Sequence, residues 1–554
     1  MSDEKKVKSV VSQVDVSDLE SSSYNKEDVV NQTVRGLKPR HIQLIALGGA
    51  IGTGLFVGSG AALSTCGPAP LLMSYIFMSF MVWTVMNQLG EMATFLPLPG
   101  EATLYAMARR YAGDSFAFTS GWNIYYAQAI IVPAEITAVA FVIQYWTDAN
   151  SAIFISIFIV CSIALNLMPV KYYGESEFWV STIKLLCLTG LIIVGIVIFF
   201  GGGPAQTGVL GFHYWKTPGA FTEHLVSGNT GRFLALWTAI IKSGFSFVLM
   251  PEVITATAAE AVYPRRNLPK ACDRFIYRLA FFYICGTLVI GVIIGYNDPR
   301  LMDAVAAGAS GAAGSPFVIG IQNAGISVLP HIINACILTS AYSCGTSLLY
   351  GSSRGLYSMA LQGDAPKIFA KVNRFGVPIY AVGLTSCFTL LAYLNCSNSA
   401  SKVFTWLSNI ATVSGFISWI LVSLTYIQYR KVIKFHGLDS RVPYRPKLQM
   451  IGAYSSVFIF TLISLTNGYA VFFPDAWNVS DFFAAYCTLL ILFVLFFGYM
   501  LIRRDFKMFK HPKDIDVFAL LDRAEQEEAD DKIVYEAEAA EKQTFLHKLW
   551  RWIA

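Results

Sequence analysis

Charge is what this 554-residue chain has least of: Asp, Glu, Lys and Arg make up 14% of it, against 55% hydrophobic residues. A large soluble protein needs a charged shell, so the shortage excludes that class and leaves the bilayer as solvent. Histidine is scarce, and the ten cysteines stand apart, many of them alone in apolar runs, as at Cys161, Cys187, Cys285 and Cys336. No CxxC spacing occurs, so neither a metal site nor a disulfide framework is expected, and the thiols read as buried and free. No GxxxxGK[ST] loop, strand-to-helix dinucleotide motif or nucleophile constellation is present, which speaks against an ATP-driven pump, a membrane enzyme or any organic cofactor. The start, MSDEKKVKSV, lacks an apolar h-region, so no cleaved signal peptide is expected.

Long apolar runs are abundant. Taking about 20 mostly apolar residues per span, twelve candidates begin near Ile42, Pro70, Phe118, Ala152, Phe178, Phe233, Phe275, Phe317, Pro378, Phe404, Ile451 and Phe482. The expected fold is therefore all-α: a polytopic membrane protein of twelve transmembrane helices. The run from Phe317 to Ala360 is too long for one helix and is expected to hold an outer re-entrant or interfacial helix before the eighth span. Residues 1–40 read as a disordered polar tail, 41–502 as the core and 503–554 as a second tail, either solvated or docked by its aromatic end, FLHKLWRWIA.

Lys and Arg set the orientation, because positive loops are retained in the cytoplasm. Even-numbered connections and their flanks hold about sixteen, among them Arg109, Arg110, Arg265, Arg266, Lys367, Arg430 and Arg441. Odd-numbered ones hold Lys216, Arg232, Arg300 and Lys402. Both termini are thus expected in the cytoplasm, and the net charge of +5 reflects this bias rather than a nucleic-acid partner. Two sequons, at Asn395 and Asn478, lie too close to the membrane for modification to be expected.

The stretch GGAIGTGLFVGSG, Gly48 to Gly60, puts six glycines into the first span. Glycine lets the backbone leave helical geometry, and the freed amides at a half-helix N-terminus can bind a carboxylate. Gly48 with Gly52, and Gly54 with Gly58, equally satisfy the GxxxG pattern of close helix packing. Five spans later, the sixth contains Lys242, Gly244, Pro251 and Glu252 within its apolar run. Interruptions at matching positions point to an inverted repeat of five helices each, about 41–202 and 233–430, with helices 11 and 12 (451–502) outside it and a site at the midplane.

A charge at a span centre costs about 2.5–3.5 kcal/mol on insertion scales. Glu135, Lys184, Lys242 and Glu252 each need a reason: an interhelical ion pair, Glu135 with Lys242 for instance, or a polar path used in transport. Glu91 and Glu260 near the cytoplasmic ends read equally as gates or loop anchors. Lys242 and Phe245 are three apart, hence on one helical face. Tyr342, Ser343 and Ser347 form a polar stripe in the eighth span, which also fits helix packing.

The strings RGLKPRHIQLIALGGAIGTGLFVGSG, LGEMATFLPLPG, GWNIYYAQAIIVPAEITA, FWVSTIK and AAEAVYPRRNLPKA resemble fungal amino-acid permeases of the amino acid, polyamine and organocation superfamily. The resemblance spans the whole core. It implies a LeuT-like five-plus-five inverted repeat with unwound first and sixth spans, and proton-coupled uptake at the plasma membrane. IIKSGFSFVLMPEV and SPFVIGIQNAGISVLPHIINACILTSAYS look like the proline-permease branch, whereas Tyr342 stands where that branch is expected to have tryptophan, and CGTSLLYGSSRGLYSMA looks closer to broader-range permeases. Carried over by position, the backbone of Gly52, Thr53 and Gly54 would receive the substrate carboxylate. Phe245 would cover the substrate, with Lys242, Glu135 and Tyr342 beside it, and Lys184 with Glu135 would couple the proton. The partners implied are the amino acid, protons, lipid, and ubiquitin-ligase adaptors acting on tail lysines such as Lys5, Lys6 and Lys8. A broad-range permease remains an alternative, as does a sensor that binds without net transport.

Overall fold

In hydrocarbon every backbone N–H and C=O must be paired within its own segment, so each apolar run folds as a helix. The computed structural model describes residues 52–541 apart from 98–102, 148, 207, 253–262, 307–313, 374–375, 397–399, 475 and 505. The N-terminal tail with Lys5, Lys6 and Lys8, the start of the first span with Gly48 and Gly49, Glu260 and the aromatic C-terminal end lie outside the described residues. Within them, nine helices are long and apolar enough to cross a membrane, and three shorter apolar ones complete the expected twelve.

The first span is seen as a π turn, Gly54–Gly58, leading into α1 (Ser59–Cys66). There follow α2 (Pro68–Phe95), α3 (Asp114–Gln144), α4 (Ser151–Leu167), α5 (Val170–Phe199) and α6 (Gly228–Phe247). Next come α7 (Pro264–Ile293), α8 (Leu329–Leu361), α9 (Ile379–Thr389, extended by a 3-10 turn), α10 (Ala400–Phe435), α11 (Gln449–Thr466) and α12 (Val479–Arg503). The over-long eighth segment resolves into a short helix, Pro316–Asn323, ahead of α8. Proline opens α2, α7 and α8, where its missing N–H costs nothing. Asn478 is used as the N-cap of α12, its side chain accepting from the Ser480 and Asp481 amides.

The first four spans each pack against the one five positions later: α1 on α6, α2 on α7, α3 on α8 and α4 on α9. That is the pairing an inverted repeat about a pseudo-twofold axis generates. α3 and α10 are the most enclosed spans, while α5 and α12 turn Leu186, Ile193, Phe493 and Val494 outward, as lipid permits and water would not.

The chain after α12 returns to the face where α2, α8 and α10 end. Lys510 donates its amide to Ala112 O (2.8 Å) and its Nζ to Arg109 O (2.8 Å) and Asp114 Oδ1 (3.2 Å). A further helix, α13 (Phe518–Glu541), buries Leu521 and Ala524, with Val517 just before it. Its acidic side pairs with Arg441 through Asp522 and Glu525 (both 2.6 Å) and with Arg265 through Glu528 (2.8 Å).

Candidate functional site

The break in α6 meets the start of the described part of the first span at the centre of the bundle. α6 stops at Phe247 because Val248 is extended (φ −55°, ψ 134°) and Leu249 has φ +60°, a left-handed conformation that a branched side chain adopts only under constraint. The Ser246 carbonyl, left without a following turn, accepts from Tyr283 Oη (2.8 Å), and the Ser246 hydroxyl bonds Tyr75 Oη (2.7 Å). The glycine-rich run of the first span presses against this break. A Cβ at Gly54 would stand 2.6 Å from Ser246 Oγ and 2.8 Å from its Cα. At Gly52 it would meet Glu135 Oε1 at 2.6 Å and Cys344 Sγ at 2.9 Å. Gly58, by contrast, faces no atom within 4 Å. The Gly54–Gly58 pair is therefore not a two-glycine packing seam; Gly54 alone serves close approach.

Between the first span and the α6 break lies a cavity lined by Gly52, Gly54, Ile131, Glu135, Phe245 and Ser246, closed by Val248, Cys344 and Leu348. Its ≈ 30 Å³ of space for water centres holds about two waters at roughly 10–15 Å³ each. In this conformation it admits nothing larger. Phe245, half-buried on this wall, packs edge-on against Phe404 (5.7 Å, 84°).

Glu135 is the one carboxylate among the described residues that line the cavity. Its Oε1 accepts from Thr53 Oγ1 (3.1 Å) and, over a longer distance, the Thr53 amide (3.4 Å). Its Oε2 is buried without an N–H or O–H donor among the described residues. Pro133, two positions earlier in α3, withholds one backbone N–H from the same turn. In this conformation a carboxylate of the protein itself, Glu135, holds the Thr53 amide that the resemblance gives to the substrate carboxylate.

The other expected site residues distribute unevenly. Lys242 is not paired with Glu135. It is exposed, one turn nearer the start of α6 than Phe245, and donates to Thr65 Oγ1 (3.1 Å) and Ala61 O (3.5 Å) of α1. Tyr342 does not line the cavity either; its ring packs on Phe158 of α4 (5.5 Å), because α8 turns Cys344 and Leu348 inward instead. Lys184 is buried on α5 and donates to Ser343 Oγ (3.0 Å), and the Ser343 hydroxyl donates to Glu177 Oε1. Glu252, just past the α6 break, accepts from Ser418 Oγ (2.7 Å).

Glu91 is fully buried and bound by Tyr426 Oη (2.6 Å), Arg430 Nη1 (3.0 Å) and Gln449 Nε2 (3.2 Å). Its partner is thus Arg430 of α10, not the arginines of the flanking loops, and the pair bridges α2 to α10. Sequence reasoning missed Ser246, Tyr75 and Tyr283, because a tyrosine in an apolar run reads as packing. It also missed Glu177, although its seven-residue spacing from Lys184 puts both on one helical face.

Residues 41–512 match the amino acid permease family. The proline-specific permease of Emericella nidulans is 48% identical, across 94% of this chain and 93% of its own. The proline-specific permease of Saccharomyces cerevisiae is also 48% identical (90% and 80%), and the lysine-specific permease of the same yeast 39% (88% and 78%). Among solved structures, a manganese transporter from Eremococcus coleocola superposes with a TM-score of 0.54 at 14% identity, covering 86% of this chain and 98% of that one, which is a likeness of fold.

Proposed function

The chain belongs to the amino acid permease family, and from that premise we propose that it takes up neutral amino acids, proline foremost, by proton symport across the plasma membrane with both termini in the cytoplasm. The observation that carries the substrate reading is the cavity between the first span and the α6 break. Ile131, Phe245, Val248 and Leu348 give it an apolar wall suited to a pyrrolidine ring, and among the described residues no Lys or Arg lines it to hold a side-chain carboxylate. Similarity to proline-specific permeases favours the same substrate. Tyr342, the residue that opened the broad-range alternative, packs away from the cavity.

In the proposed cycle the substrate carboxylate takes the Thr53 amide that Glu135 now holds, and Glu135, displaced or neutralised, turns toward the substrate's ammonium group. Phe245 closes over the bound molecule. The bundle carrying the first and sixth spans then rocks and opens the cytoplasmic side. One proton moving down 100 mV provides about 2.3 kcal/mol, and an assumed two-unit pH difference adds roughly 2.7 at 1.36 per unit. The sum, about 5 kcal/mol, supports close to four decades of accumulation at 1.4 per decade, so one proton per zwitterion suffices and uptake is electrogenic.

Radiolabelled proline uptake into cells lacking their own permeases tests this reading. Accumulation competed by unlabelled proline and hardly by arginine is the expected result. Binding without accumulation would assign the chain to sensing, and equal competition by arginine would overturn the specificity.

A further inference from the structure

Two polar stripes face each other across the seam between α5 and α8. On α5 they are Tyr173, Glu177, Ser181 and Lys184, spaced four, four and three apart; on α8, Ser343, Ser347, Tyr350 and Arg354, spaced four, three and four. Such spacing keeps each set on one helical face. The rest of α5 is largely aliphatic and faces lipid in part, so four polar groups in register need a reason beyond solubility.

The contacts form a continuous run. Lys184 Nζ donates to Ser343 Oγ (3.0 Å), and the Ser343 hydroxyl donates to Glu177 Oε1. One turn on, Tyr173 Oη donates to Ser347 Oγ (3.0 Å). The Ser181 hydroxyl, between Glu177 and Lys184, is buried with no hydrogen-bond partner among the described residues, which leaves it available to a water. From Lys184 to Tyr173 is eleven residues, about 16 Å of helix or roughly half the hydrocarbon thickness. The run leads from mid-membrane toward the ends of α5 and α8 that carry Lys171 and Arg354.

That end is sealed. The Tyr173 and Tyr350 rings lie parallel, centroids 4.2 Å apart at 2°, and the Arg354 guanidinium covers Tyr350 at 3.2 Å. Lys184, Glu177, Ser343 and Tyr173 are each no more than 2% exposed. The groups facing Glu177 are Lys184 and Tyr173 from its own helix and Tyr342, Cys344 and Ser347 from α8; Arg354 stands behind Tyr173, and Glu135 of α3 behind Lys184.

We propose that Glu177 receives the coupling proton from Lys184 through Ser343, and that the α5–α8 seam, gated by the Tyr173–Tyr350–Arg354 stack, is the proton's exit toward the cytoplasm. In the transfer Lys184 gives one N–H proton to the Ser343 oxygen while the Ser343 hydroxyl proton passes to Glu177 Oε1. Ser343 ends as it began, Lys184 becomes neutral and Glu177 becomes a carboxylic acid. Net charge is unchanged, and a buried ion pair is replaced by two neutral groups, which a low-dielectric site favours. When the stack parts, Glu177 gives its proton to water on the cytoplasmic side. The proposal rests on proton symport as the function and adds the residue that empties the coupling lysine.

The test uses purified full-length protein in proteoliposomes, with an internal pH dye reporting proline-driven proton entry and labelled proline reporting counterflow, which needs no net proton release. Wild type is measured first: proline transport without acidification would refute proton symport itself, independently of Glu177. In Glu177→Gln, coupled acidification is expected to fall about a hundredfold, the scale of losing one positioned proton-transfer group, while counterflow stays within about threefold. Unchanged acidification, or loss of counterflow together with acidification, would overturn the assignment. Should Glu177→Gln not fold, Ser343→Ala removes the bridging hydroxyl and leaves both charged partners; selective loss of acidification is expected, and full retention would overturn the relay.

Discussion

At the scale of single residues, the glycines give the sharpest contrast. A methyl at Gly52 or Gly54 would intrude on Glu135, Cys344 or Ser246 at under 3 Å, whereas Gly58 faces open space. Overpacking of this kind costs about 1–3 kcal/mol, so Gly52→Ala and Gly54→Ala should lower proline kcat/KM by roughly tenfold or more at equal surface level, and Gly58→Ala should leave it unchanged. Uptake kinetics of the three variants check this. The Glu135 and Lys242 side chains hold different partners, Thr53 for one and Thr65 for the other. Losses from Glu135→Gln and Lys242→Met are therefore expected to add within about 0.5 kcal/mol in a double-mutant cycle, and strong coupling would restore the ion-pair reading. The intramembrane charges were visible in the sequence because each interrupts an apolar run. What the sequence hid was their partners: the Tyr75–Ser246 bond joins residues 171 apart, and nothing local announces it. Glu177 stayed hidden because GESEF near a span start reads as interfacial.

Among the elements, α13 is the one whose role the sequence left open. It grips Arg441, in the α10–α11 connection, and Arg265, at the start of α7, so it ties the helices packed on the α6 break to those around α10. In the proposed orientation, opening toward the cytoplasm would loosen one of these grips. Disrupting the clamp with Arg441→Ala is expected to raise hydrogen exchange in 518–533 severalfold and to speed proline exchange, and mass-spectrometric exchange with counterflow rates checks both. The hydrogen bonds from Arg441 hold the Glu525 carboxyl below its usual range. A depressed carboxyl stabilises the docked state above its free pKa of about 4.3. Docking should therefore be insensitive to pH around neutrality and weaken as pH falls through the lowered value; a loss of protection between pH 6 and 8 would contradict this. The spans themselves were legible, including the surplus in the Phe317–Ala360 run that becomes the helix Pro316–Asn323. The break in α6 was legible only in outline. Pro251 and Glu252 flag it, yet the chain leaves the helix at Val248 and Leu249, where tertiary contacts from Tyr75 and Tyr283 override local preference.

For the whole molecule, the packing of the first four spans each on the one five places later brings the glycine-rich run of the first span and the α6 break to one centre, where the proposed function puts the alternation of outside and inside access. The cavity is too small for substrate in the conformation described, and the Glu91–Arg430 pair joins α2 to α10 beneath it. Breaking that pair with Arg430→Met leaves Glu91 buried with fewer donors, a loss of about 3–5 kcal/mol for a buried ion pair. The inward-closed state should become harder to hold, seen as greater reactivity of cytoplasmically accessible cysteines engineered along α6. The central claim is that proline and a proton cross together through this centre. Its most direct test is purified protein in proteoliposomes, with proline accumulation and internal pH followed at once. The account predicts proline-dependent acidification and accumulation against a gradient, both abolished by a protonophore. Proline accumulation that a protonophore leaves intact, or proline binding with no flux, would contradict it.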